Sequence, residues 1–165
     1  MERLYLRLFG TFQFESEGGR AFSLPTKKTK ALLAYLAYYA GQPHERAKLA
    51  ALLWEDSGET QARESLRQSL SLLRKALSLR HAHALITRGD TIELKSGAFL
   101  VDAVEFERLA ASAEIASLGQ AVQLYQGPLL EGFDLRASEF EGWLSSVRQQ
   151  LNEKAIGATE QIALS

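Results

Sequence analysis

The chain has 165 residues, 46% apolar and 24% charged, which suits one globular domain or two small ones. It contains no cysteine, which excludes disulfides and cysteine-ligated zinc. No apolar run reaches the roughly 18 residues of a bilayer span, and the N-terminus lacks a signal peptide's apolar core, so a cytoplasmic protein is expected. The net charge of −1 is divided unevenly: residues 1–100 carry 15 Lys and Arg against 10 Asp and Glu, and residues 101–165 carry 4 against 10. A basic front would be drawn to a phosphate backbone that an acidic back repels.

Leu4, Leu6 and Leu8 alternate with Tyr5, Arg7 and Phe9, and Phe12 and Phe14 with Gln13 and Glu15. This period of two predicts two short strands broken at Gly10. Glu17-Gly18-Gly19-Arg20 is turn chemistry, and residues 21–24 are expected to form a third strand closed by Pro25. Thr26 is the expected N-cap of a helix carrying Leu32, Leu33, Tyr35, Leu36 and Tyr39, stopped by Gly41. Lys27, Lys28 and Lys30 crowd its first turn, where positive charge opposes the helix dipole. A nearby phosphate would explain them; so would simple solvation.

Pro43 and His44 open a second helix with Leu49, Leu52, Leu53 and Trp54 on its apolar side. After the turn Glu55-Asp56-Ser57-Gly58, Thr60 is the expected cap of a third helix over residues 60–79. Leu66, Leu70, Leu73 and Leu77 give it one buried stripe. Arg63, Arg67 and Arg74 form a row within roughly 40° of one another, with Gln68, Ser71, Glu64 and Lys75 further round. Arginine can fork onto guanine, glutamine onto adenine and serine onto either. Taken alone, the row also fits a solvated surface helix. Two helices joined by a tight turn form a helix-turn-helix arrangement. Residues 84–87 and 91–94 flank Arg88-Gly89-Asp90, a hairpin signal, and a hairpin placed there is a wing with Arg88 at its tip.

Near residue 100 the pattern becomes wholly helical. Asp102 and Glu105 have capping-box spacing, with Asp102 as N-cap. Phe106 and Leu109 follow in phase, then a run from Ser117 to Tyr125 ended by Gly127-Pro128. From Glu139 on, Phe140, Trp143, Leu144, Val147 and Leu151 share one face. No strand is expected here, only antiparallel helices of a repeat-like array. Little remains to cover the last helix, so the native chain is expected to continue beyond Ser165.

The first part resembles an OmpR/PhoB-type winged helix. The segments LRLFGTFQF, KKTKALLAYLAYYAG, LAALLW, ARESLRQSLSLLRKAL, VDAVEFERL, AVQLYQGPLLEGF and EGWLSSVRQQL, in this order, resemble the SARP family of bacterial transcriptional activators. WEDS departs from the proline usual after that tryptophan. The fold expected is α+β: a winged helix-turn-helix domain over residues 1–98. An all-α tetratricopeptide-like region follows over residues 99–165, the first part of a bacterial transcriptional activation domain.

The resemblance implies an activator that binds promoter direct repeats in double-stranded DNA through recognition helix 60–78 and a wing at 84–95. It also implies contact with RNA polymerase, and direct-repeat binding would place two protomers on DNA as a homodimer; no cofactor, metal or membrane is expected. Arg67, Gln68 and Ser71 are the candidate base readers, and Arg63 and Arg74 the candidate phosphate clamps. Thr26, Lys27 and Lys28 would reach backbone from the first helix, and Arg88 from the wing. Trp54 is assigned to packing, and Leu72 either meets a thymine methyl or packs on the wing.

Two other functions compete with this one. His81 and His83 are too few for a metal site, and no catalytic setting or Gly-rich phosphate loop is present, so no enzyme is expected. The alternative function is a helical interaction or adaptor module of a larger ATPase-type signalling regulator, without direct DNA contact. Pairing of Arg63, Arg67 and Arg74 with the acidic second half would favour it.

Overall fold

The computed structural model describes residues 2–165. Strands β1 (Leu4–Arg7) and β2 (Gln13–Ser16) pair antiparallel, with Leu6 opposite Phe14. Alternation buries Leu4, Leu6 and Phe14 and turns Arg7 outward. Helix α1 (Lys27–Tyr38) follows, then β3 (His44–Glu45), α2 (Arg46–Trp54) and α3 (Glu59–Leu77). A 3₁₀ segment (Leu79–Ala84) leads to the hairpin β4 (Leu85–Arg88) and β5 (Thr91–Leu94). Strand β6 (Phe99–Val101) precedes α4 (Asp102–Ala110), α5 (Ile115–Leu124) and α6 (Ser138–Leu164). The strands make two small sheets, ordered β2-β1-β6 and β3-β5-β4, and the rest is mostly helix. This is compatible with a winged helix-turn-helix followed by a helical region.

Several local expectations need correction. Residues 21–24 form no strand. Ala21 makes one isolated bridge to Glu15, Phe22 donates its N–H to the Phe14 carbonyl at 2.9 Å, and Phe22 stacks on Phe14. Leu24 is buried and Pro25 has no N–H to extend a ladder. His44 and Glu45 belong to a strand, since they pair with Ile92 and Thr91, and α2 begins only at Arg46. The cap of α3 is Gly58, not Thr60, whose helix has already begun. Thr26 does cap α1, its hydroxyl accepting the Thr29 N–H at 3.1 Å.

The second half is not free of strands. Residues Phe99–Val101 lie parallel to β1, and Leu129 makes an isolated bridge to Phe9. The division expected at 98/99 therefore falls just before a strand of the first sheet. Asp102 is the first residue of α4, and its N-cap is Val101. Its carboxylate instead accepts N–H groups from Leu8 at 2.8 Å and Phe9 at 3.1 Å, besides that of Ala103 at 2.7 Å. Burial pushes this carboxyl above its usual value, against the pull of the three donors.

One apolar core runs from Leu4 and Leu32 through Leu66 and Leu70 to Phe106, Phe140 and Leu151. Polar ties follow the same path. The Glu55 carboxylate, at the end of α2, accepts the Ser138 hydroxyl and the Glu139 N–H at 3.2 Å. It thus caps α6, whose own N-cap residue is Ala137. Trp143 donates its indole N–H to the Tyr39 hydroxyl at 2.8 Å. Glu107 accepts from the Tyr38 hydroxyl and from Lys154. Arg148 donates to the Leu129 and Leu130 carbonyls at 2.6 and 2.8 Å, while Leu130 donates its N–H to the Leu8 carbonyl at 2.7 Å.

Two predictions follow from this packing. Asp102→Ala strands two backbone N–H groups, and each such loss costs about 1–3 kcal/mol. A urea melt is expected to show about 2–6 kcal/mol of destabilisation; an unchanged midpoint would mean that the strand end does not depend on this carboxylate.

The second concerns pH. His44 and His81 are buried, and burial pushes both imidazoles below their usual value near 6.5. The unfolded chain therefore takes up these protons first. Stability is complete above about pH 6.5 and falls as the pH drops below it. The urea midpoint should decline between about pH 7 and pH 5.5, and the decline should shrink in His44→Phe. A midpoint flat across that range would disprove the assignment.

Candidate nucleic-acid interface

Helix α3 is the most amphipathic stretch of the first half. Leu66, Leu70, Leu73 and Leu77 are buried as their spacing predicts, and Ala62 and Ser69 widen the stripe. Ser69 is polar yet buried, and its hydroxyl has a purpose. The Thr29 hydroxyl donates to it at 3.1 Å and lies 2.7 Å from the Thr26 hydroxyl. This chain of three hydroxyls fixes the start of α1 beside the middle of α3. The Thr26 hydroxyl is occupied by the cap and by Thr29.

As a result, Lys27 and Lys28 stand beside α3. A groove of about 350 Å³ is lined by Lys27, Lys28, Trp54, Gln68, Leu72 and Asp134, among others. Lys28 Nζ lies 5.5 Å from the centre of the Trp54 ring, within cation–π range. Trp54 is buried and packs as expected. Leu72 lines this groove, so its partners lie on the α1 side and not on the hairpin.

The arginine row occupies the other flank of α3. Gln68 lies roughly 100° round the helix from Arg67, and Ser71 falls between them. Arg63, Arg67, Gln68, Ser71 and Arg74 are all exposed. The outward strip of α3 thus has arginines along one side and lysines of α1 along the other.

Arg67 is not free in this structure. It makes a two-pronged contact with Glu64, at 2.7 and 3.0 Å. The guanidinium holds the Glu64 carboxyl below the usual carboxylate range. Arg63 lies 3.7 Å from Glu59. Both pairs are exposed and lie within the helix, and such pairs contribute little, so a stronger acceptor can displace the glutamates. The spacing of three was visible in the sequence; that the pair closes was not. Among the described residues, no arginine of α3 pairs with the acidic second half.

Arg88 is exposed at the end of β4, next to Gly89 at φ +56°. The hairpin turn is tied to the start of α2, since the Arg46 N–H donates to the Asp90 carbonyl at 2.8 Å. Arg88 is not among the residues of the α1–α3 groove. Asp134 and Leu135 do line it, although the sequence offered no signal: they are over 60 residues from Leu72. A larger cleft of about 580 Å³ lies elsewhere, over the outward face of β1 between Arg7, Glu105 and Glu131.

No protein-family model and no curated protein matches this chain. Among solved structures it is similar to EmbR of Mycobacterium tuberculosis in complex with a low-affinity phosphopeptide, with a TM-score of 0.75 and 23% identity. The match covers 96% of this chain and 44% of that one. At this identity the likeness is one of fold, and the chain spans less than half the length of that neighbour.

The hydroxyl chain is open to test. Thr29→Val keeps the side-chain shape but leaves the buried Ser69 hydroxyl without its partner. Unfolding in urea should show a loss of about 1–3 kcal/mol. A loss within error of zero would show that α1 is held on α3 by apolar packing alone.

Proposed function

We propose that this chain is a sequence-specific, DNA-binding transcriptional regulator without enzymatic activity or cofactor. In this reading it is an activator of the SARP type, with a winged helix-turn-helix and the first part of an activation domain. The observation that carries the reading is the layout of α3. Its exposed strip of Ser71 and Gln68 runs between the arginine row and the lysines of α1. A helix in a major groove meets base edges along its outward strip and a phosphate backbone on either side. Arg67, Gln68 and Ser71 then read bases, while Arg63, Arg74, Lys27 and Lys28 grip phosphates. Arg88 reaches a phosphate or the minor groove from the hairpin. Glu64 holds the Arg67 guanidinium until a base edge replaces it.

The adaptor reading called for arginines engaged by the acidic half. Arg63 and Arg67 pair within their own helix instead, so the contact that would favour the adaptor is absent among the described residues. The remaining functions are proposed from the family resemblance: two protomers bind direct repeats head to tail, and the helical half contacts RNA polymerase.

Selection of duplexes from a random pool is expected to return a preferred half-site, with binding that weakens steeply with salt. On that site Arg67→Ala should cost about 1–3 kcal/mol and relax preference at one base position. Arg63→Ala should weaken all sequences alike. If both variants bind with unchanged affinity in a gel-shift titration, α3 is not the recognition helix.

A further inference from the structure

The helical half carries four cations, and three of them are committed. Arg108 pairs with Glu105, Arg148 holds the Leu129 and Leu130 carbonyls, and Lys154 pairs with Glu107. Arg136 has no ion pair or hydrogen bond through its side chain among the described residues, and it is exposed. In a half with 10 acidic residues against 4 basic ones, an uncommitted arginine stands out.

Its position is fixed. Leu135 and Ala137 on either side are buried. The Leu135 N–H points to the Glu141 carboxylate at 3.3 Å, and Glu55 of the helix-turn-helix holds Ser138 and Glu139. Arg136 itself sits at φ +53°, a left-handed backbone that a residue with a side chain adopts only where its surroundings impose it. Asp134 and Leu135 line the groove beside Lys27, Lys28 and Gln68. Arg136 does not itself line that groove, but it is the next residue in the chain after Leu135, which does, and adjacent Cα atoms are about 3.8 Å apart.

We propose that the end of the loop between α5 and α6, residues 133–137, forms one wall of the DNA-contact surface. Arg136 grips a backbone phosphate, and Asp134 limits how tightly this flank holds. The inference rests on the DNA reading above. It gives the helical half a direct part in DNA binding, on the same flank as Lys27 and Lys28. Phosphate contacts are independent of sequence, so a random-sequence duplex is a sufficient probe.

The test is fluorescence anisotropy of a labelled random-sequence duplex, titrated with the full chain across a salt series. Arg136→Gly suits the left-handed backbone and should melt no lower than the unaltered chain. It should nevertheless bind more weakly, and the slope of log affinity against log salt should fall by about 0.9. Arg136→Lys should keep most of the affinity, and Asp134→Asn should bind more tightly. If Arg136→Gly leaves affinity and slope unchanged while Lys27→Ala with Lys28→Ala weakens binding, the loop is not a contact and only this inference fails. If the unaltered chain binds no duplex at low salt, the DNA reading fails with it.

Discussion

The Asp102 carboxylate accepts the N–H groups of Leu8 and Phe9, and this contact decides how the two ends of the first sheet meet the helices. Strand β1 ends where its ladder runs out, with two donors facing inward. A buried donor without a partner is costly, so something must cover them. The first residue of α4 does so. That choice fixes α4 against β1, puts β6 parallel beside β1, and starts the helical half on the first sheet. The Leu130 and Gly10 backbone bonds extend the same edge to the loop after α5.

The other ties are placed so that the helical half rests on the helix-turn-helix itself. Glu55 closes α2 and opens α6, and Trp143 of α6 enters an aromatic cluster with Tyr35, Tyr39 and His44. The turn before α3 is therefore braced from the far half. A surface built this way brings α3, the start of α1 and the α5–α6 loop around one groove.

Much of the fold was legible in the residues. The leucine spacing of α3, the alternation of β1 and β2, the Thr26 cap and the Gly-Asp hairpin each rest on near-neighbour geometry, and each recurs in the structure. The misreadings share a cause. Asp102 has every local mark of an N-cap, but a distant pair of N–H groups claims its carboxylate. His44 and Glu45 read as a helix start, yet β5 supplies strand partners nearly fifty residues away. Local preference is worth tenths of a kcal/mol per residue, and a long-range hydrogen bond about 1 kcal/mol, so tertiary contact wins at such borders.

The sequence by itself determined which side chains could serve an interface: the arginine row, Gln68 and Ser71 on one helix, and the lysines that open another. Helical periodicity suffices to place residues on a common face, because it depends only on backbone geometry. Only the tertiary structure decided which faces meet. It set Lys27 and Lys28 opposite the arginine row through the Thr26, Thr29 and Ser69 hydroxyls, and left Arg88 apart on the hairpin. It also brought Asp134 and Leu135 into the groove. That approach is made by a loop closing over the core, and no repeat or spacing along the chain encodes where such a loop comes to rest.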